Sequence, residues 1–213
     1  MNDARPTVTG LILAGGRSRR MGGGDKGLLD LAGRPMIEHV IQRLRGQVGR
    51  IVINANGYPA RFSRFCFPVV ADSIGGFAGP LAGVLAGLRW SRANTPDASH
   101  VLSVSADAPF LPETLVERLW QALEGSATGK PAIAIAASGG ELHPVIGLWP
   151  VALADDLEAA LTSGVRKVLD WTDRHGTFPV EFPFLTLKGR QIDPFFNANT
   201  PEELDEARAL LQT

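Results

Sequence analysis

Leu11-Ile-Leu-Ala-Gly-Gly-Arg-Ser-Arg-Arg-Met-Gly-Gly-Gly-Asp-Lys-Gly-Leu-Leu29 is the stretch on which the reading of this chain turns. Its apolar opening predicts a buried strand. Its continuation predicts a loop carrying Gly15, Gly16, Gly22, Gly23, Gly24 and Gly27, with Arg17, Arg19, Arg20 and Lys26 among them. Glycine lets main-chain N–H groups come close to a ligand, and the cations add positive field. A strand end with bare amides and that charge suits a polyphosphate. The competing reading, a surface loop with solvated arginines, sits poorly with so much glycine and charge directly behind a buried strand. A Walker A loop requires Gly-Lys-Ser/Thr, whereas Lys26 stands between Asp25 and Gly27. Residues 22–27 spell G-x-G-x-x-G, yet they lie well past the strand, and no acid follows about 20 residues on to take a ribose.

Outward from this loop, short apolar runs alternate with helical stripes. Pro35 opens a predicted helix striped by Met36, Ile37, Val40, Ile41 and Leu44, with His39 a packed or surface residue on it. Pro80 opens a second, striped by Leu81, Val84, Leu85 and Leu88, and Pro112 a third, striped by Leu115, Val116, Leu119, Trp120 and Leu123. Strands are expected at 8–14, 50–55, 68–71 and 100–105. This βαβ pattern predicts an α/β fold: a three-layer, Rossmann-like α/β/α arrangement with a mostly parallel mixed sheet. Ligands bind beyond the carboxyl ends of such strands, where the glycine loop, Asn54, Asp72 and Asp107 all fall. Further on, strands are expected at 132–136, 143–149 and 178–182, a helix at 151–171 and a loop at 188–199. The last helix carries Thr200 as N-cap, Pro201 in first position and Glu203 closing a capping box, anchored by Leu204, Ala207 and Leu211. Residues 91–99 and 125–131 read as surface connections, and Trp90, Trp120, Trp149 and Trp171 as core.

With 213 residues, 45% of them hydrophobic and 20% charged, the chain is expected to make one domain. Its nucleotide-binding half would run over about 8–125 and its acceptor-binding half over about 126–213. A net charge of −1 gives no global pull toward nucleic acid or anionic membrane. Cys66 alone excludes an intrachain disulfide and a cysteine-based zinc cluster. The N-terminal residues lack a secretory pattern and no run is long enough to span a bilayer, so a cytoplasmic protein is expected.

The spelling Leu-Ala-Gly-Gly-x-Ser-x-Arg-Met-Gly-x-x-Asp-Lys resembles the signature of nucleotidyltransferases that attach a nucleoside monophosphate to a phosphorylated acceptor. Among these it is most similar to the molybdenum cofactor guanylyltransferase (MobA) family, and Asp107-Ala-Pro109 matches that family's Asp-x-Pro. The resemblance implies guanine-nucleotide contacts at Leu13, Ala14, Gly15, Gly16, Lys26, Asn54, Asp72 and Asp107, with Asp107 as ligand of a Mg²⁺ cofactor. On the residues alone, Asp107 reads equally as a cap or turn residue. Leu-Ala-Gly-Gly, against the Leu-Ala-Ala-Gly typical of pyrimidine-using relatives, implies guanine. Asp72 could take the guanine N–H groups or the ribose hydroxyls, and Asn54 a base edge or the ribose. Lys26, Asp107 and Arg20 are the catalytic candidates, acting on phosphate charge. His143-Pro-Val145, Val165-Arg-Lys-Val168 and Phe196-Asn-Ala-Asn199 resemble pterin-binding segments, which implies acceptor contacts from His143, Arg166, Lys167, Asn197 and Asn199. Strand-end, helix-face and turn roles are the alternatives there.

The implied reaction moves GMP from GTP to the terminal phosphate of molybdopterin or molybdenum cofactor, releasing pyrophosphate. GTP and the pterin are then the substrates, with cofactor-delivery proteins and chaperones of recipient molybdoenzymes as transient partners. A phosphomonoester has a second pKa of about 6, so the nucleophile needs no general base. The rivals are a cytidylyltransferase or sugar-phosphate nucleotidyltransferase of the same fold, and a non-catalytic GTP- or cofactor-binding adaptor.

Overall fold

The structure, a computed structural model, describes residues 7–15, 25–75, 79–124 and 131–211. Strand β1 (Thr7–Leu13) is followed by the small pair β2 (Asp30–Leu31) and β3 (Arg34–Pro35), then α1 (Met36–Leu44), β4 (Arg50–Asn54) and β5 (Val69–Val70). Next come α2 (Pro80–Asn94), β6 (Ala98–Ser105), α3 (Leu115–Glu124), β7 (Ala132–Ser138) and β8 (Glu141–Pro150). The chain closes with α4 (Ala154–Thr162), α5 (Val168–Thr172), β9 (Gly176–Glu181), β10 (Leu185–Leu187), β11 (Arg190–Ile192) and α6 (Pro201–Leu211).

One seven-stranded sheet has the order β5-β4-β1-β6-β8-β7-β9. β5, β4, β1 and β6 are mutually parallel, β8 is antiparallel to β6 and β7, and β9 is parallel to β7. The reversal at β8 follows from the Gly139-Gly140 turn, whose φ angles of 57° and 82° suit a tight hairpin. It leaves the carboxyl ends of β1, β4, β5, β6 and β7 on one edge, together with the start of β8.

Side chains alternate across the strands and build a core on each face. Leu11, Val52, Val101, Ile133 and Ile135 pack with Leu81 and Leu85 of α2, Leu157 of α4 and Trp171 of α5. Ile12, Ile53, Leu102, Val104 and Ala134 pack with Ile37 and Val40 of α1 and Leu115 and Leu119 of α3. The result is the expected three-layer α/β/α architecture. A third cluster joins Leu204 and Ala207 of α6 to Leu31, Met36, Phe110 and Ile192, which ties the C-terminal helix beside the site. Trp149 and Trp171 are fully buried and stacked at 6.0 Å, while Trp90 and Trp120 pack against the two cores.

Several boundaries differ from expectation. Residues 91–99 are not all a connection: α2 continues to Asn94, and Ser91 and Thr95 bond Thr9 of β1 through buried hydroxyls at 2.8 and 2.9 Å. α3 starts at Leu115, three residues after Pro112. The helix expected over 151–171 is a 3-10 turn (Val151–Leu153), α4 and α5, broken where Gly164 takes φ 97°. The loop expected over 188–199 opens as the β10–β11 hairpin, turned by Lys188 and Gly189 at φ 49° and 74°. At the C-terminus Leu210 is buried where Leu211 was expected to anchor, and Leu211 packs at the rim. Among the described residues, no helix is long and apolar enough to cross a membrane.

Candidate active site

The site edge is built on the sheet ladder itself. Ala14 N–H donates to Asn54 O at 2.8 Å, and Ala106 N–H donates to Leu13 O at 3.1 Å, so both neighbouring strands fix the main chain of Leu13 and Ala14. Gly15 then runs in the open, with nothing within 4 Å of where a Cβ would stand. Gly16, Arg17, Arg19, Arg20 and residues 22–24, on which the phosphate-loop expectation also rests, lie outside the described residues.

Lys26 begins a 3-10 turn (Lys26–Leu28) that lies close against the end of β6. A Cβ on Gly27 would stand 2.8 Å from Ala106 Cβ, so the approach needs glycine. This seats Lys26 Nζ 3.7 Å from Asp107 Oδ2 and 2.5 Å from Asn199 Oδ1. Ser105 Oγ donates to Asp107 Oδ1. The start of α3 is held by Gln47 instead of Asp107: Gln47 Oε1 accepts Val116 N–H at 3.1 Å, and its Nε2 donates to Pro112 O at 2.9 Å. The Asp107 side chain, 12% exposed, is thus bonded to Ser105 and paired with Lys26 at the sheet edge. Among the described residues, no group of three or more His, Cys, Asp or Glu could enclose a metal. A lone carboxylate still fits Mg²⁺, which keeps waters and takes one or two carboxylates plus substrate phosphates.

Asn54 and Asp72 meet beside this group. Asn54 is 4% exposed, and its Nδ2 donates to Asp72 Oδ1 at 2.9 Å and to Val70 O at 3.2 Å. Asn56 completes the clamp, its Nδ2 donating to Asp72 Oδ2 at 2.7 Å and its Oδ1 accepting Asp72 N–H at 2.9 Å. Space for Asn54 comes from Gly83 of α2, where a Cβ would collide with Asn54 Oδ1 and stand 2.7 Å from Leu13 Cδ2. Asp25 pairs with Arg61 at 2.5 Å, and Arg61 also donates to Asn56 O at 2.7 Å and to Tyr58 O. One guanidinium therefore joins the Lys26 turn to the Asn56 segment.

The acceptor candidates fall in two places. His143 Nε2 lies 2.6 Å from Ser138 Oγ, which donates to Asp193 Oδ1 at 2.8 Å, and its ring is 4.7 Å from that of Phe195. Phe195 leads directly into residues 196–199, where Asn199 Nδ2 donates to Asn197 O at 3.1 Å. Asn197 Oδ1 is buried with no partner among the described residues. Arg166 and Lys167 lie in the α4–α5 connection; no hydrogen bond or ion pair links them to His143, Asn197 or Asn199 among the described residues. Arg166 Nη1 donates to Leu161 O at 2.7 Å and to Val165 O at 2.8 Å, at the end of α4. The structure therefore joins Lys26, Asp107 and Asn199 directly, and Asn54 with Asp72. Ser105, Asn56, Arg61, Ser138 and Asp193 support these groups without having been singled out from the sequence; Asn-x-Asn at 54–56 was the one local signal.

A model of the MobA-like NTP transferase domain matches residues 10–177. A Bradyrhizobium sp. protein named molybdenum cofactor guanylyltransferase is 52% identical over 95% of this chain and 92% of its own length. One of that name from Rhodopseudomonas palustris is 51% identical over 96% of this chain and 94% of its own. The crystal structure of molybdopterin-guanine dinucleotide biosynthesis protein A from Archaeoglobus fulgidus superposes with a TM-score of 0.70 over 94% of this chain and 97% of that one, at 22% identity, a likeness of fold. With half of its residues identical to those relatives over nearly their whole length, the chain belongs to the molybdenum cofactor guanylyltransferase (MobA) family of NTP transferases.

Proposed function

We propose that this chain transfers GMP from GTP to the terminal phosphate of molybdopterin or its molybdenum-bearing form, giving a guanine dinucleotide and pyrophosphate. The observation that carries this is the meeting of Lys26, Asp107 and Asn199 at the sheet edge, in a chain half-identical to proteins of that name. An acceptor phosphate oxygen forms a bond to the α-phosphorus of GTP, and the bond from that phosphorus to the β-phosphate oxygen breaks. Lys26 offers a point charge to the triphosphate, and Asn54 and Asp72 hold the nucleoside end. Asp107 is the residue that would hold Mg²⁺, which when bound neutralises phosphate charge. Arg20 and the Leu13 to Gly16 main chain complete the nucleotide half, while His143, Arg166, Lys167, Asn197 and Asn199 orient the pterin and its phosphate. The acceptor phosphate is largely deprotonated at neutral pH, so these residues catalyse by positioning and charge compensation. The protein works in the cytoplasm, receiving cofactor from delivery proteins and passing it to chaperones of molybdoenzymes.

The test is incubation with α-labelled GTP, Mg²⁺ and molybdopterin, followed by identification of the labelled product. A labelled guanine dinucleotide is expected. GTP binding without Mg²⁺-dependent pyrophosphate release would refute the activity, and a calorimetric preference for CTP would refute the base.

A further inference from the structure

The capping box of α6 carries one bond more than a box needs. Glu203 N–H donates to Thr200 Oγ1 at 3.2 Å, and Glu203 Oε2 accepts Thr200 N–H at 2.9 Å, the reciprocal pair that closes a helix start. The same Oε2 also accepts the N–H of Asn199, at 2.6 Å. Asn199 precedes the cap, so this bond satisfies no helical donor; it fixes Asn199. With its N–H on Glu203 and its Nδ2 on Asn197 O, Asn199 has its amide oxygen on Lys26 Nζ. From this we infer that Glu203 is a positioning residue for the transfer, setting Asn199 and through it the ammonium of Lys26. The inference rests on the proposed role of Lys26 at the triphosphate.

The physical need is plain. A lysine ammonium sits on a flexible four-carbon stem and presents three donors without a preferred direction. It stays at one point only where fixed acceptors surround it, and here these are Asp107 and Asn199. Asn199 is exposed and lies outside any helix or strand, so its fixity has to come from neighbours: Asn197 O holds its side-chain amide, and the carboxylate of Glu203 holds its main chain. A misplacement of about 1 Å in a reacting group costs up to roughly 10²-fold in rate.

The test measures kcat and KM for GMP transfer from α-labelled GTP to molybdopterin in Mg²⁺, with the melting temperature of each full-length variant recorded. Thr200→Ala removes the other arm of the box and reproduces the helix destabilisation while leaving the Glu203–Asn199 bond; its kcat is expected to match wild type. Glu203→Gln keeps an amide oxygen for both N–H groups and is expected to retain most activity. Glu203→Ala is expected to lower kcat roughly tenfold or more. In a Lys26→Ala background the same change is expected to cost much less kcat, because the lever is gone and only the contact of Asn199 with the acceptor is left to lose. Equal losses in Thr200→Ala and Glu203→Ala, or an undiminished cost of Glu203→Ala without Lys26, overturn the inference. If Glu203→Ala melts below the assay temperature, Glu203→Asp replaces it: the helix start keeps its charge, but the shorter arm withdraws from Asn199. Wild-type kcat in Glu203→Asp overturns the inference too. A wild-type protein that transfers no GMP defeats the proposed function itself, and this inference with it.

Discussion

Gly83→Ala tests whether α2 is built to make room for Asn54. Alanine in a helix interior is worth about 0.5–1 kcal/mol over glycine, so at an open helical position the change would stabilise. Here the new methyl collides with Asn54 Oδ1 and comes within 2.7 Å of Leu13 Cδ2, in a region where both partners are pinned to the sheet. Overpacking of this kind costs about 1–3 kcal/mol. If Asn54 instead rotates away, it gives up its bond to the Asp72 carboxylate, and a bond to a charged group is worth about 1.5–3 kcal/mol. Set against the helix gain, either route leaves a net loss of about 1–1.5 kcal/mol, which for a chain of this size lowers Tm by roughly 2–6 °C. GTP affinity is expected to fall about tenfold, since 1.4 kcal/mol of lost nucleoside contact is one decade. Gly87→Ala is the control: its methyl crowds Leu11, at 2.5 Å from Cδ2 and 2.9 Å from Cδ1, an apolar clash that touches neither Asn54 nor Asp72. Thermal melts and calorimetric GTP titration of both variants decide the matter. If Gly83→Ala proves as stable as wild type and binds GTP as well, Asn54 does not depend on that gap.

Three further outcomes follow from the same geometry. Asp107→Ala is expected to abolish Mg²⁺-dependent turnover while the far-ultraviolet dichroism and melting curve stay near wild type; full activity removes Asp107 as the metal ligand. Lys26→Ala is expected to lower kcat by about 10²–10³, the effect of losing one preorganised electrostatic donor, and an unchanged rate would reduce Lys26 to a structural contact. Burial beneath the edge of Trp120 pushes His100 down from 6.5 to about 4, so the folded chain keeps it neutral where the unfolded chain binds a proton. Its share of stability is complete above pH 6.5 and lost as pH falls toward 4, at most about 3 kcal/mol; urea melts of His100→Gln should lack that slope.

Much of the fold was legible because its signals are local. Strands β4 and β6 are apolar runs ended by a polar residue, Asn54 and Ser105, β1 is one ended by the glycine loop, and α1 carries its own stripe in Met36, Ile37, Val40, Ile41 and Leu44, all buried. The capping box at Thr200 and Glu203 needs only four consecutive residues and is formed as expected. The misread boundaries are those where a distant group decides. Ser91 looks like a loop residue, but its hydroxyl is satisfied by Thr9 across the layer, so α2 runs on. Pro112 looks like a helix opener, yet the first turn is anchored by Gln47 from another element, and α3 begins later.

The site divides along the same line, and that division is itself informative. Asn54, Asp72 and Asp107 were placed at the sheet edge because a strand end announces each within a few residues, and Lys26 was singled out by the Asp25-Lys26 spelling of the glycine loop. Arg61 was not, because nothing near Arg61 says that Asp25 lies beside it 36 positions away. Ser138 and Asp193, which hold His143, are 55 positions apart and carry no shared motif. Arg61 holds Asp25, the neighbour of Lys26, and Ser138 with Asp193 holds His143, each with a charge or a hydroxyl that would be costly to bury alone. Rate in a phosphoryl transfer of this kind depends on where charges stand when the bond changes hands. Substituting the silent set should therefore change turnover more than it changes the melting point, whereas substituting the helix stripes should do the reverse.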